Sequence, residues 1–163
     1  MAIWQFSCDL LPETAVCMHL NDIPLVIRAE QFDEVPWWDS WPRAAELTTS
    51  IESLLNRAPS WSNCVDIWGD INGDTIQIYK SDAGAIEEVS VRVDVRSLSH
   101  VFLTGVVVMG QRHRLLIRTE DGHVLRPDMT ELLAAIRRSR SSRFVQDPER
   151  FLAGIEEHPE RAD

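Results

Sequence analysis

The clearest pattern in the chain is an alternation. Val89, Val91, Val93 and Val95 are separated by Ser90, Arg92, Asp94 and Arg96. A period of two puts the β-branched side chains on one face of a strand and the polar ones on the other. This strand is expected over residues 85–96, with shorter ones at 64–69 and 75–80. Together they read as an antiparallel meander. Asn72-Gly73 predicts a type I′ turn with positive φ at both positions, and Ser81, Asp82, Ala83 and Gly84 make the next turn. Such strands hold only when paired and covered on their apolar face, so the rest of the chain must supply that cover.

Upstream, Trp4, Phe6, Cys8 and Leu10 alternate with Gln5, Ser7 and Asp9, which predicts a strand over 3–11 that Pro12 ends. Residues 13–20 fit either a short strand or a helical turn. Asn21-Asp22 reads as a turn, and 24–28 as an edge strand whose leading proline is tolerated there. Residues 32–42 run Phe-Asp-Glu-Val-Pro-Trp-Trp-Asp-Ser-Trp-Pro, and the two prolines argue for irregular backbone. A helix is expected over 42–57, with Ala44, Leu47, Ile51, Leu54 and Ala58 on one stripe and Asp39 or Ser40 as cap. Residues 98–109 are nearly all apolar. They suit a buried helix capped by Ser97 or Ser99 and ended by Gly110; a strand fits the composition too, but strand signals flank the run on both sides.

A hairpin follows, 114–119 and 123–126 around Asp121-Gly122. Asp128 and Glu131 form a capping box for a helix with Met129, Leu132, Leu133 and Ile136 on its buried stripe. Asp147-Pro148 opens a last helix carrying Phe151, Leu152 and Ile155, ended by His158-Pro159 with a frayed tail over 158–163. No repeat, linker or low-complexity tract divides the chain. The expectation is one α+β domain over 1–163, a mostly antiparallel sheet with helices packed on one face.

Composition adds direction. The 163 residues hold 26 acids and 16 bases, for a net charge of −10. The excess is confined to the first hundred residues, and 101–163 balance. A negative surface repels nucleic-acid phosphates and anionic membranes and attracts basic partners. No apolar run approaches the ~20 residues of a membrane span. The start of the chain lacks a basic leader and carries Asp9 and Glu13, and the three cysteines make no disulfide framework. A cytoplasmic protein is expected.

No catalytic set is legible, and neither a metal nor a cofactor is expected. Asp70, Asn72 and Asp74 sit at alternate positions like the first ligands of a calcium loop, but position 81 is a serine where such a loop needs a glutamate, so a polar hairpin tip is the better reading. The five histidines lack ligand spacing. No glycine-rich loop leads a strand into a helix, and the cysteines sit in apolar contexts that suit inert burial. Arg137, Arg138, Arg140 and Arg143 form the one basic cluster, at the carboxyl end of a helix where cations complement the dipole. The segment that points to function is the aromatic one. Trp37, Trp38 and Trp41 are interleaved with Asp33, Glu34 and Asp39, and such a loop offers hot-spot area with acids that select a basic partner. These residues, with Asp70 and Asp74 of the hairpin tip, are the expected partner-binding set, and at least one tryptophan is expected to be accessible.

From about Trp61 onward the chain also resembles bacterial immunity proteins encoded beside polymorphic and type VI secreted toxins. The resemblance runs through Trp68-Gly69 and Thr75-Ile76-Gln77-Ile78-Tyr79, then Val91-Arg92-Val93-Asp94-Val95-Arg96. It continues through Asp121-Gly122-His123-Val124 before Pro127, and Arg143-Phe144-Val145-Gln146-Asp147-Pro148 before Phe151-Leu152. It covers some three-fifths of the chain and implies a cytoplasmic, non-enzymatic α+β protein that binds and blocks one cognate toxin. Two other readings stand beside it. One is a small hydrolase or ligand-binding domain that gathers two or more of Asp66, Asp70, Asp94, His100 and His123 in a pocket. The other is an adaptor that self-associates through the strand at 89–95.

Overall fold

The computed structural model describes residues 2–39 and 41–157; Ser40, expected as a possible cap, and the expected frayed tail at 158–163 lie outside them, as does the side chain of Ile155. The alternations fold as expected into β1 (Gln5–Pro12), β3 (Val65–Gly69), β4 (Thr75–Lys80), β5 (Ile86–Asp94) and β6 (Leu115–Thr119). Two two-residue strands, β2 (Arg57–Ala58) and β7 (Val124–Leu125), close the edges. The sheet is antiparallel in the order β2-β3-β4-β5-β1-β6-β7. The first strand is therefore central. It lies between β5 and β6, with Phe6 opposite Val93, Cys8 opposite Val91 and Leu10 opposite Ile117. On the far side of β5, Ile78 faces Val89 and Ile76 faces Val91.

These pairs make one continuous apolar face, and every residue in it is buried. Complete burial of side chains this size contributes about 1.5–3 kcal/mol each. The cover is helical, and the fold is one α+β domain. Helix α4 (His100–His113) presses Phe102, Leu103, Val106 and Met109 onto the face. The apolar run was helical because its strand neighbours already complete the sheet. Ser99 Oγ accepts the Phe102 amide at 3.2 Å as the cap. Gly110 does not end the helix as expected; it continues to His113 and stops at Arg114, which takes the left-handed φ of 53°. Gly110 instead packs against Pro127, where a Cβ would meet the ring at 2.8 Å. α3 (Ala44–Leu54) and α5 (Met129–Arg138) flank α4. Leu54 of α3 lies so close to Gly105 of α4 that a Cβ there would overlap it. Asp128 Oδ1 caps α5 by accepting the Thr130 and Glu131 amides at 2.8 and 3.0 Å.

Several local expectations change. The turn at Asn72-Gly73 is not type I′: positive φ falls on Gly69 at 93°, and the chain closes through Gly73 N to Asp70 O at 2.8 Å. Residues 13–20 are helix α1 (Glu13–Leu20). Residues 24–28 are not a strand but a single bridge from Val26 to His123. Helix α2 (Ala29–Glu34) reaches into the proline-flanked stretch, since Pro36 constrains only the residue before it. α3 starts without a side-chain cap and ends earlier than expected. After α5, Ser139 breaks the helix and caps a further one, α6 (Arg140–Gln146), before α7 (Pro148–Glu157). Because β5 is internal and its valines are buried, it has no free edge for self-association, and that adaptor reading is withdrawn. No described helix is long and apolar enough to cross a membrane.

Candidate functional site

The second face of the sheet is polar. Asp9 opposes Ser90 and Arg118 on it, and Arg118 Nη1 meets Asp9 Oδ2 at 3.0 Å. Arg118 Nε also donates to Ile27 O at 3.1 Å, and its guanidinium lies 4.2 Å from the centre of the Phe32 ring. Helix α2, which carries Phe32, is thereby held against this face. From there the tryptophan segment turns back on itself. Trp37 N reaches Val35 O at 2.9 Å, Asp39 N reaches Pro36 O at 3.1 Å, and Trp41 N reaches Trp38 O at 3.2 Å. These tight turns aim the rings inward. Trp37 stacks on Phe32 with centroids 6.4 Å apart and donates from Nε1 to Phe32 O at 2.8 Å. Trp38 meets Trp41 edge-on at 5.0 Å, and Trp41 lies against His113 at the end of α4 at 6.2 Å. The segment is a strap that passes from the polar face, round one end of the sheet, to the helical layer.

This corrects the expected binding set. Trp37 is 3% exposed and Trp38 4%, so both belong to the core and offer no docking area. Trp41 is half-buried against that core. Of the three tryptophans, at least one of which was expected to be accessible, Trp41 alone keeps partial exposure, because the successive turns fold the other two inward.

What the strap presents outward is charge. Between it and the ends of β4 and β5 lies a cleft of about 690 Å³. Asp33, Glu34 and Asp39 line it from the strap, and Glu87 and Glu88 from β5, with no lysine or arginine among the described residues of its walls. Phe32, Trp37, Trp38 and Tyr79 line it as well, and of these Phe32 and Tyr79 are half-buried. Burial pushes the Glu88 carboxyl up from its ordinary value, helped by repulsion from Asp9 and Asp33 and opposed by Arg92 and Arg118. Glu87 and Glu88 were not in the expected set. Alternation does place Glu88 on the polar face, but only the path of the strap brings the two beside Asp33.

The hairpin tip lies elsewhere. β4 begins beside it at Thr75 and reaches the cleft at Tyr79, a separation of about 13 Å at the usual strand rise. Asp70 Oδ1 accepts the Asn72 amide and Asp74 Oδ1 the Asp94 amide, each at 2.9 Å. The tip is tied down by Gln5 Nε2, which donates to Ile71 O and Gly73 O at 3.0 and 2.8 Å. Arg96 donates to Asn72 O at 2.9 Å, pairs with Asp94 at 2.7 Å and stands 4.5 Å over the Trp4 ring. Asp70 and Asp74 therefore do not share a surface with the strap acids, and their oxygens hold the hairpin together.

The residues proposed for a hydrolase also stay apart. Asp66 pairs with Arg57 and with Lys80, and Asp94 with Arg96. Of Asp66, Asp70, Asp94, His100 and His123, none lines the cleft beneath the strap. Ser50 and His113 approach to 2.8 Å, but Ser50 Oγ already donates to Glu46 O at 3.0 Å. His113 must then donate through Nε2, which leaves Nδ1 bare and the serine unactivated. Burial of Cys8 raises its thiol pKa, against nucleophilic use, whereas Cys17 is exposed on α1 rather than buried as expected. Compared with protein-family models, curated proteins and solved structures, the chain matches none of them.

Proposed function

We propose that the protein is a non-enzymatic binding module, an immunity protein that neutralises a cognate secreted toxin by holding a basic patch of it in the acidic cleft. One observation carries this reading: five carboxylates share a concave surface that no described lysine or arginine lines. Such a surface steers a positively charged partner toward encounter and disfavours neutral or acidic ones. The half-buried Tyr79 ring gives an arginine or lysine stem a face to lie on, and cation–π contact adds about 0.5–1 kcal/mol at an exposed site. The resemblance of residues 61–157 to immunity proteins, together with the negative charge of the first hundred residues, points the same way. A toxin that acts on nucleic acid suits the charge, since clustered carboxylates mimic phosphates.

The test is co-expression with the products of the flanking genes. A toxin encoded there is expected to co-purify, and to be lost when Glu34→Gln, Asp39→Asn and Glu87→Gln are combined. All three positions are exposed, so the triple variant keeps its melting temperature. Capture unaffected by the triple variant sinks the cleft as the contact surface. The absence of any toxin gene nearby, with no partner recovered, sinks the immunity reading.

A further inference from the structure

The arginines of the basic cluster have a setting that the binding reading leaves unused. Arg138 ends α5, and Arg140 and Arg143 lie on α6, just beyond the break at Ser139. With the start of β1 and the β6–β7 turn, these helices enclose a cavity of about 520 Å³. That volume is within the range of small-molecule sites. Part of its wall is apolar. Phe6 and Ala135 line it from the core, while Ile3 and Leu125 remain partly open to solvent.

The polar groups around it are unequally satisfied. Glu120 accepts the Arg140 amide at 3.3 Å, and Asp121 takes the Thr119 hydroxyl and lies 3.7 Å from His123 Nε2. The three guanidiniums differ. Among the described residues none of Arg138, Arg140 and Arg143 forms an ion pair, although the chain has 26 acids for 16 bases. Arg140 stands 5.9 Å over the Phe151 ring instead.

We propose that this cavity binds a small amphipathic anion. Its carboxylate or phosphate head is held by Arg138, Arg140 and Arg143, and its short apolar body lies against Ile3 and Leu125. Guanidinium forks match both heads in bidentate geometry, which a lone ammonium does not. The apolar wall selects against inorganic anions, which have nothing to bury there. The site is independent of the toxin reading and is tested without any partner.

Isothermal titration of the full chain at low salt, with octanoate and octyl phosphate as probes, decides it. One equivalent of each is expected to bind at least about tenfold more tightly than 1-octanol or inorganic phosphate, about 1.4 kcal/mol. Arg138→Gln with Arg143→Gln is expected to weaken both probes about tenfold at an unchanged melting temperature, as both arginines are exposed. Ile3→Glu, at a position 37% exposed, places a carboxylate against the body and is expected to abolish binding in a folded protein. Octanol as tight as octanoate, inorganic phosphate as tight as octyl phosphate, no saturable binding, or full affinity in both variants would each overturn the proposal.

Discussion

A single tryptophan separates the two roles that the strap can play. Trp37→Ala removes a fully buried indole, its stacking on Phe32 and its hydrogen bond to Phe32 O. Loss of a core aromatic costs about 3–5 kcal/mol, so urea unfolding should show a destabilisation of that order; a variant as stable as the parent would return the ring to the surface. Glu88 makes the opposite case. Its folded pKa is raised by burial and by Asp9 and Asp33. The folded state therefore favours its protonated form, and that contribution is lost as pH rises through the folded pKa. Glu88→Gln is accordingly expected to melt higher than the parent at pH 7, with the gap closing as pH falls through the raised folded value and gone below the ordinary value of 4.5. His113 carries the reverse sign. Burial lowers its pKa, so the parent loses stability as pH drops below 6.5 toward the folded value, and His113→Gln should flatten that loss in unfolding curves from pH 7.5 to 5. Of these residues only Trp37 was singled out by the sequence, and its setting was not legible there. Asp33, Glu34 and Asp39 were found from local interleaving alone. Glu88 needed the contact between strap and sheet, which no spacing encodes.

At the scale of elements, what could be read ahead followed the strength of the periodic signal. Val89–Val93 alternate without a break, and their face is the core, so Val93→Asp should abolish the cooperative transition in circular dichroism. A variant with an unchanged melting temperature would show that face is not core. The short helices α2 and α6 were missed because six or seven residues carry less than two full turns of periodicity, and tertiary contacts then decide. The turn after β3 was placed correctly but mistyped. Gln5, Trp4 and Arg96 reach its carbonyls and hold a wider loop than the Asn-Gly pair would choose alone. The turn at Gly122 is stricter. With φ at 83°, and Ile27 O only 2.6 Å from where a Cβ would stand, Gly122→Ala is expected to cost about 1–3 kcal/mol. Amide exchange should report it first at Ile27 and Val124, whose backbone bonds tie the 25–27 segment to this hairpin.

For the whole molecule, charge is arranged by end. The charged side chains described in the strap cleft are all acids, while the arginine-rimmed cavity is built from α5, α6 and the start of β1, and the tip acids are spent on the hairpin itself. Association with a basic partner should therefore slow markedly as salt rises from 0.05 to 0.5 M, and the triple cleft variant should have lost most of that salt dependence in stopped-flow measurements. The one-domain α+β plan was legible because the alternating strands and the apolar α4 run outnumber the ambiguous stretches. The central place of β1 was not, because nothing in residues 3–11 names a partner a hundred residues away. That placement has a temporal consequence. β1 leaves the ribosome ahead of both partners, β5 and β6, so one of its edges stays bare until residue 94 has been made and the other until residue 119. Late, long-range pairing slows folding and leaves nascent chains prone to aggregation. Chains cut short before Leu115 should accordingly collect in the insoluble fraction, with Phe6, Cys8 and Leu10 the sticky surface they share.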